Sequence, residues 1–155
     1  LPLPQPNQLF RNTGKGGFVE VIAPEFSQLE VSRGAAVGDV DNDGDPDLLI
    51  TNNNGPARLL LNNVGTQNHW LGLRLVGKNG RDMLGAHVEI VTATNGVLRR
   101  RVRTDGSYLS ANDPRVLAGL DQGTKVKAVR VRWPDGSVEE WKDQPVDRYV
   151  TLTKK

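Results

Sequence analysis

The chain has no cysteine, which excludes disulfides, thiolate metal sites and cysteine nucleophiles. That absence does not decide the compartment, since many secreted bacterial domains also do without cysteine. No apolar run approaches the roughly 20 residues of a membrane-spanning helix, so no span is expected. The opening LPLPQPNQLF lacks the basic and long apolar regions of a signal peptide, as in a mature chain or a piece of a longer one. Helical periodicity is nearly absent, because no window of about 11–18 residues sustains apolar positions at i, i+3, i+4 and i+7. The two histidines, His69 and His87, share no motif spacing. No nucleophile elbow or phosphate-binding glycine loop occurs, so an enzymatic reading has no residue to stand on.

What is present is a core-forming composition, 37% hydrophobic and 25% charged over 155 residues, enough for one domain or two small ones. The net charge of +2 is unevenly spread. Residues 1–68 carry 8 acidic and 4 basic side chains, and residues 69–155 carry 10 acidic and 16 basic. Short Val-, Leu- and Ile-rich runs recur between Gly, Asn and Asp clusters, and the chain reads as all-β. The expected strands are 18–22, 35–40, 48–51, 57–61, 70–76, 87–92, 98–104, 129–133, 137–141 and 149–153. Alternation buries Leu71, Leu73 and Leu75 on one strand. On another it buries Val129, Val131 and Trp133, with Arg130 and Arg132 outward. Pro134-Asp135-Gly136 supplies a fixed φ, a side-chain acceptor and a positive-φ position, and so predicts a hairpin. Only Ser110–Leu117 has the signals of a helical turn, with Asn112-Asp113-Pro114 placed to open it.

The densest chemistry lies in GDVDNDGDPDLLIT, Gly38 to Thr51. Asp39, Asp41, Asp43 and Asp47 occupy relative positions 1, 3, 5 and 9. Gly44 stands at position 6, and Asp45 at position 7 offers its backbone carbonyl. Alternate carboxylates in a tight loop converge on one concavity, which suits a hard cation, and calcium best, because a flexible loop can gather several oxygens at roughly 2.3–2.6 Å. A solvated acidic turn is the alternative, and it leaves four close carboxylates repelling one another with nothing to offset them. A helix–loop–helix calcium hand fails at position 12, where Ile50 replaces the bidentate glutamate, and at the exit, which reads as a strand.

These residues carry a resemblance. GAAVGDVDNDGDPDLLITNNNGPARLLLNN resembles an FG-GAP or VCBS-type repeat, a calcium-loop blade unit of β-propellers, and LFRNTGKGGFVEV resembles the last two strands of a preceding blade. NHWLGLRLVG, GAHVEIV, DGSYLSANDP, LAGLDQGTKVKAVRVRWPDG and QPVDRYVTLT are similar to the ASPIC/UnbV domain of the cartilage acidic protein family. Asp121 and Ala118 depart from that domain's usual glycine and aromatic. The resemblance implies a partial β-propeller blade segment over residues 1–66 and a β-sandwich-like domain over 67–155. It also implies Asp39, Asp41, Asp43, Asp47 and the Asp45 carbonyl as calcium ligands, and a secreted, extracellular or periplasmic setting. A propeller needs about 4–8 blades, so the remaining blades of a longer chain are expected partners.

Two further features point to ligands. Arg99, Arg101 and Arg103 share one face of a strand at a spacing of roughly 6.6 Å, which could track the charges of an anionic glycan. The alternative pairs them with acidic neighbours such as Glu89, Glu139 or Glu140. Nucleic acid is not expected, since no basic helix or aromatic-studded basic sheet is present. Trp141 is the tryptophan best placed to meet a sugar, whereas Trp133 reads as core and Trp70 as packing between the two units. The function expected is a secreted calcium-dependent adhesion or interaction module that contacts an extracellular protein or anionic glycan. Its rivals are a non-catalytic part of a larger extracellular propeller enzyme, and a unit that only caps the last blade.

Overall fold

The computed structural model describes residues 3–64, 68–93 and 96–155. Among these lie twelve strands, one 3-10 turn at Pro24–Phe26 and no α-helix, the all-β class that the sequence predicts. In the first part, β1 (Leu9–Asn12) pairs antiparallel with β2 (Phe18–Val21). The strands β3 (Ser32–Gly38), β4 (Asp47–Asn52) and β5 (Arg58–Leu60) form an antiparallel sheet in that order. This part has almost no core of its own. Ile50 is its one large apolar side chain that is buried among the described residues, while Leu9, Phe10, Phe18, Leu59 and Leu61 are exposed.

The second part holds β6 (His69–Val76), β7 (His87–Thr92), β8 (Val97–Arg101) and β9 (Val116–Asp121). These are followed by β10 (Val126–Arg132), β11 (Val138–Gln144) and β12 (Tyr149–Thr153). Two sheets, ordered β12-β6-β9 and β11-β10-β7-β8, share a single core. One sheet contributes Leu71, Leu73, Leu75, Ala118, Leu120 and Leu152, and the other Val88, Ile90, Val129 and Val131. In the β11-β10-β7-β8 sheet the inward apolar residues alternate with outward polar ones such as His87, Glu89, Arg130 and Arg132, and burying one face of each sheet closes the sandwich. The expected boundary between residues 66 and 67 lies outside the described residues.

The predicted hairpin joins β10 to β11. Trp133 N–H donates to the Ser137 carbonyl at 2.9 Å, and Gly136 N–H to the Trp133 carbonyl at 2.9 Å. Asp135 Oδ1 accepts from both the amide and the hydroxyl of Ser137. The helical turn expected at Ser110–Leu117 is not formed. Val116, Ala118 and Leu120 instead face the core from β9, a short strand whose small residues and central Gly119 mask its period-2 pattern. The segment ahead of it is drawn into the first part. Asn112 Oδ1 accepts from Val37 N–H at 2.9 Å, and Asp113 N–H donates to the Val37 carbonyl at 2.9 Å. A loop of the second part thus satisfies the outer edge of β3, which an open sheet would leave unpaired. Gly34 permits the approach, because a Cβ there would lie 2.5 Å from Ser110 Oγ.

Candidate metal centre

The acidic loop leaves β3 at Gly38 and re-enters the sheet as β4 at Asp47. One carboxylate oxygen each from Asp39, Asp41 and Asp43 lies within 4.8 Å of the others, the convergence their alternate spacing predicts. All are hard oxygen donors, the chemistry of a calcium-type and not a thiolate or imidazole site. The loop folds around its own side chains. Asp39 Oδ1 accepts from Asp43 N–H at 3.1 Å, Asp39 Oδ2 from Gly44 N–H at 3.0 Å, and Asp43 Oδ1 from Asp45 N–H at 2.9 Å. Asp41 stays exposed, yet its carboxyl is held above the ordinary aspartate range. Neighbouring loop atoms take part of its water, and the Asp43 charge then repels its own.

Asp45 and Asp47 stand apart from that trio. Asp47 is 1% exposed, and both of its oxygens face backbone donors, Oδ2 the Val40 N–H at 2.7 Å and Oδ1 the Asn62 N–H at 2.9 Å. It ties the start of the loop to the chain leaving β5. The Asp45 side chain is also buried.

Three residues from the second part, all outside the aspartate motif, hold the loop from behind. The Tyr149 hydroxyl donates to Asp39 Oδ2 at 2.8 Å. Burial and this hydrogen bond push the phenol well above its usual value, so it serves as a fixed donor. Arg115 donates from Nε to Asp113 Oδ2 at 2.6 Å, from Nη1 to Asn42 Oδ1 at 2.6 Å and from Nη2 to the Asp39 carbonyl at 2.7 Å. Its guanidinium also lies 4.0 Å from the centre of the Tyr149 ring. Trp70 meets Tyr149 edge-on at 5.2 Å and covers Gly44 so closely that a Cβ there would lie 2.3 Å from the indole nitrogen. Gly44 also has φ +97, so the turn and the contact both require glycine. Trp70 therefore packs between the two parts as its position in the sequence predicts. Arg115 and Tyr149 carry no local signal, because they reach the loop from 76 and 110 residues away.

Tyr149→Phe keeps the ring and removes one donor from a buried carboxylate. It should lower stability by about 1–2 kcal/mol, read by urea unfolding. Wild-type stability for this variant would mean that the hydroxyl does not restrain Asp39.

The basic strand proves heterogeneous. Arg99 is paired with Glu89, Nε to Oε1 at 3.0 Å. The Arg101 side chain forms no hydrogen bond or ion pair among the described residues, and Arg103, beyond the end of β8, faces Asp105 at 3.8 Å. Arg100, Arg101, Arg103 and Arg115 border a cleft of about 360 Å³ that is lined also by Gly38, Asp39 and Pro46. Trp141 lies on the core side of β11, packed edge-on against Trp133 at 6.1 Å, so its ring is engaged in the sandwich. His69 Nδ1 contacts Asp147 Oδ2 at 2.7 Å and His87 lies on the outer face of β7, so the two histidines form no pair. No helix among the described residues is long and apolar enough to cross a membrane.

A model of the ASPIC and UnbV family matches residues 76–155. An FG-GAP-like repeat model matches residues 4–50, and an FG-GAP repeat model residues 33–68. Cartilage acidic protein 1 of Homo sapiens is 30% identical over 108 residues, which cover 68% of this chain and 16% of that protein.

Proposed function

Because the chain belongs to the ASPIC and UnbV family, with FG-GAP repeats ahead of that domain, we propose that it is a secreted calcium-binding adhesion or interaction module. Its setting is extracellular or periplasmic, where calcium is abundant enough to keep a loop of modest affinity filled. The two units are residues 1–66 and 67–155. The observation that carries the reading is the convergence of Asp39, Asp41 and Asp43 in a loop whose backbone donors already turn inward. These three residues hold calcium directly, with the Asp45 carbonyl and the remaining lone pairs of Asp47 completing the oxygen set. Bound calcium neutralises the cluster and does no chemistry.

The chain's own residues convert that neutralisation into order. With the repulsion offset, Asp39 can keep its bonds to Tyr149 and Gly44 at once, and the loop becomes a fixed surface against which Trp70 and Arg115 pack. The second unit in turn caps the edge of β3 through Asn112 and Asp113. The exposed apolar residues of β1, β2 and β5 are where the remaining blades of a longer chain pack. Arg101 and Arg103 face the ligand, an anionic glycan or an acidic protein.

Titrating calcium into the chelator-stripped chain should give one binding event and a melting temperature that rises with calcium. At a hundredfold excess over Kd the gain is about 2.7 kcal/mol. Asp41→Asn should remove both the heat and the shift while leaving the chelated protein folded. No heat and no shift in the wild-type chain would refute the reading.

A further inference from the structure

The outer face of the sheet β11-β10-β7-β8 carries two neighbouring cross-strand rows of opposite character. In the first, register places Glu140 opposite Arg130, Arg130 opposite Glu89, and Glu89 opposite Arg99. Signs alternate across all four strands, and ion pairs close at 2.7 Å (Arg130–Glu140) and 3.0 Å (Arg99–Glu89). This row neutralises itself. Two residues further along, the next row reads Val138, Arg132, His87 and Arg101. It contains no acid, all four side chains are exposed, and the side chains of Arg132, His87 and Arg101 make no hydrogen bond or ion pair among the described residues. Val138, Arg132 and His87 border one shallow cleft of about 340 Å³, and Arg101 borders the other cleft, beside Arg103 and the acidic loop.

From this asymmetry we propose that the Arg132–His87–Arg101 row, continued by Arg103, is a binding site for a sulfated or uronate-rich polysaccharide. The proposal deepens the reading of the chain as an extracellular binding module and rests on it for the setting. Two unpaired guanidiniums present planar forks that match sulfate and carboxylate oxygens bidentately. Strand spacing puts Arg132 and Arg101 about 10 Å apart at the backbone, so one short stretch of chain reaches both, with the His87 ring between them. The excess of 16 basic over 10 acidic side chains in residues 69–155 attracts a polyanion to this unit. Nucleic acid fits less well, because a sheet that reads bases offers exposed aromatic rings for stacking. Here Trp133 and Trp141 are on the core side, and Trp70 and Tyr149 are at the junction.

The test uses the whole chain and three probes: a heparin octasaccharide, a chondroitin sulfate octasaccharide, and a single-stranded oligonucleotide of equal charge. Arg101→Ser with Arg132→Ser should weaken binding of at least one octasaccharide at least tenfold and lower the salt needed for elution from heparin. Arg99→Ser, in the self-neutralised row, should change affinity less than threefold. Equal binding by wild type and the double variant would overturn the site, and so would equal losses from Arg99→Ser and the double variant. Tighter binding of the oligonucleotide than of either sugar, with the same dependence on Arg101 and Arg132, would replace the glycan with nucleic acid. Calcium calorimetry on the same samples separates the two readings. A normal calcium signal with a failed sugar test removes only this site, whereas an absent calcium signal with a row-dependent sugar interaction removes only the calcium module.

Discussion

Asp47→Ala should destabilise the chain by about 2–4 kcal/mol whether or not calcium is present, because it leaves two backbone donors without an acceptor. Asp47 is the most deeply buried carboxylate of the loop, and its two oxygens serve Val40 N–H and Asn62 N–H at 2.7 and 2.9 Å. Relief of repulsion within the cluster offsets part of the loss and does not reverse it, since the donors have no other partner. Asp41 provides the contrast. It is exposed, and its replacement by asparagine should be nearly silent in chelator and appear only as a missing calcium increment. Urea unfolding of both variants, in chelator and in calcium, separates the aspartate whose oxygens serve the backbone from the exposed one that is free to meet a cation. Wild-type stability of Asp47→Ala in chelator would show that the loop closes without it.

Trp133→Ala should cost about 3–5 kcal/mol, the range for deleting a large buried aromatic side chain. Trp133 is 1% exposed and packs edge-on against Trp141 at the end of β10, where the hairpin to β11 begins. Its indole N–H finds no acceptor among the described residues. Trp133→Phe therefore forfeits volume and no hydrogen bond, and its loss should stay within about 2 kcal/mol. Thermal and urea unfolding of the pair give the two values. If phenylalanine were as damaging as alanine, an unseen polar contact of the indole, and not packing, would carry the site.

Strands whose side chains alternate cleanly were legible from sequence. Leu71, Leu73 and Leu75 lie inward as predicted, and so do Val129, Val131 and Trp133. The Asp39, Asp41 and Asp43 cluster was legible for the same reason, since spacing within one loop dictates which side chains converge. What failed were features set by distant chain. Asn112 and Asp113 have the chemistry of a helix start, but an unpaired strand edge in the other unit uses those same polar groups. Arg99 and Arg101 are indistinguishable by spacing, and only the cross-strand register puts Glu89 beside one and His87 beside the other. Arg132 joins Arg101 through two intervening ladders, a relation no local pattern encodes.

The hydrogen bond from Tyr149 to Asp39 spans 110 residues, and Tyr149 lies on β12, which pairs in parallel with β6. A ribosome adding about 5–20 residues per second needs roughly 6–22 s to cover that distance. Through that interval the aspartates are already made while the tyrosine that steadies them is not. Assembly order therefore leaves Asp39 without its phenol donor until β12, the last strand of the sandwich, is in place.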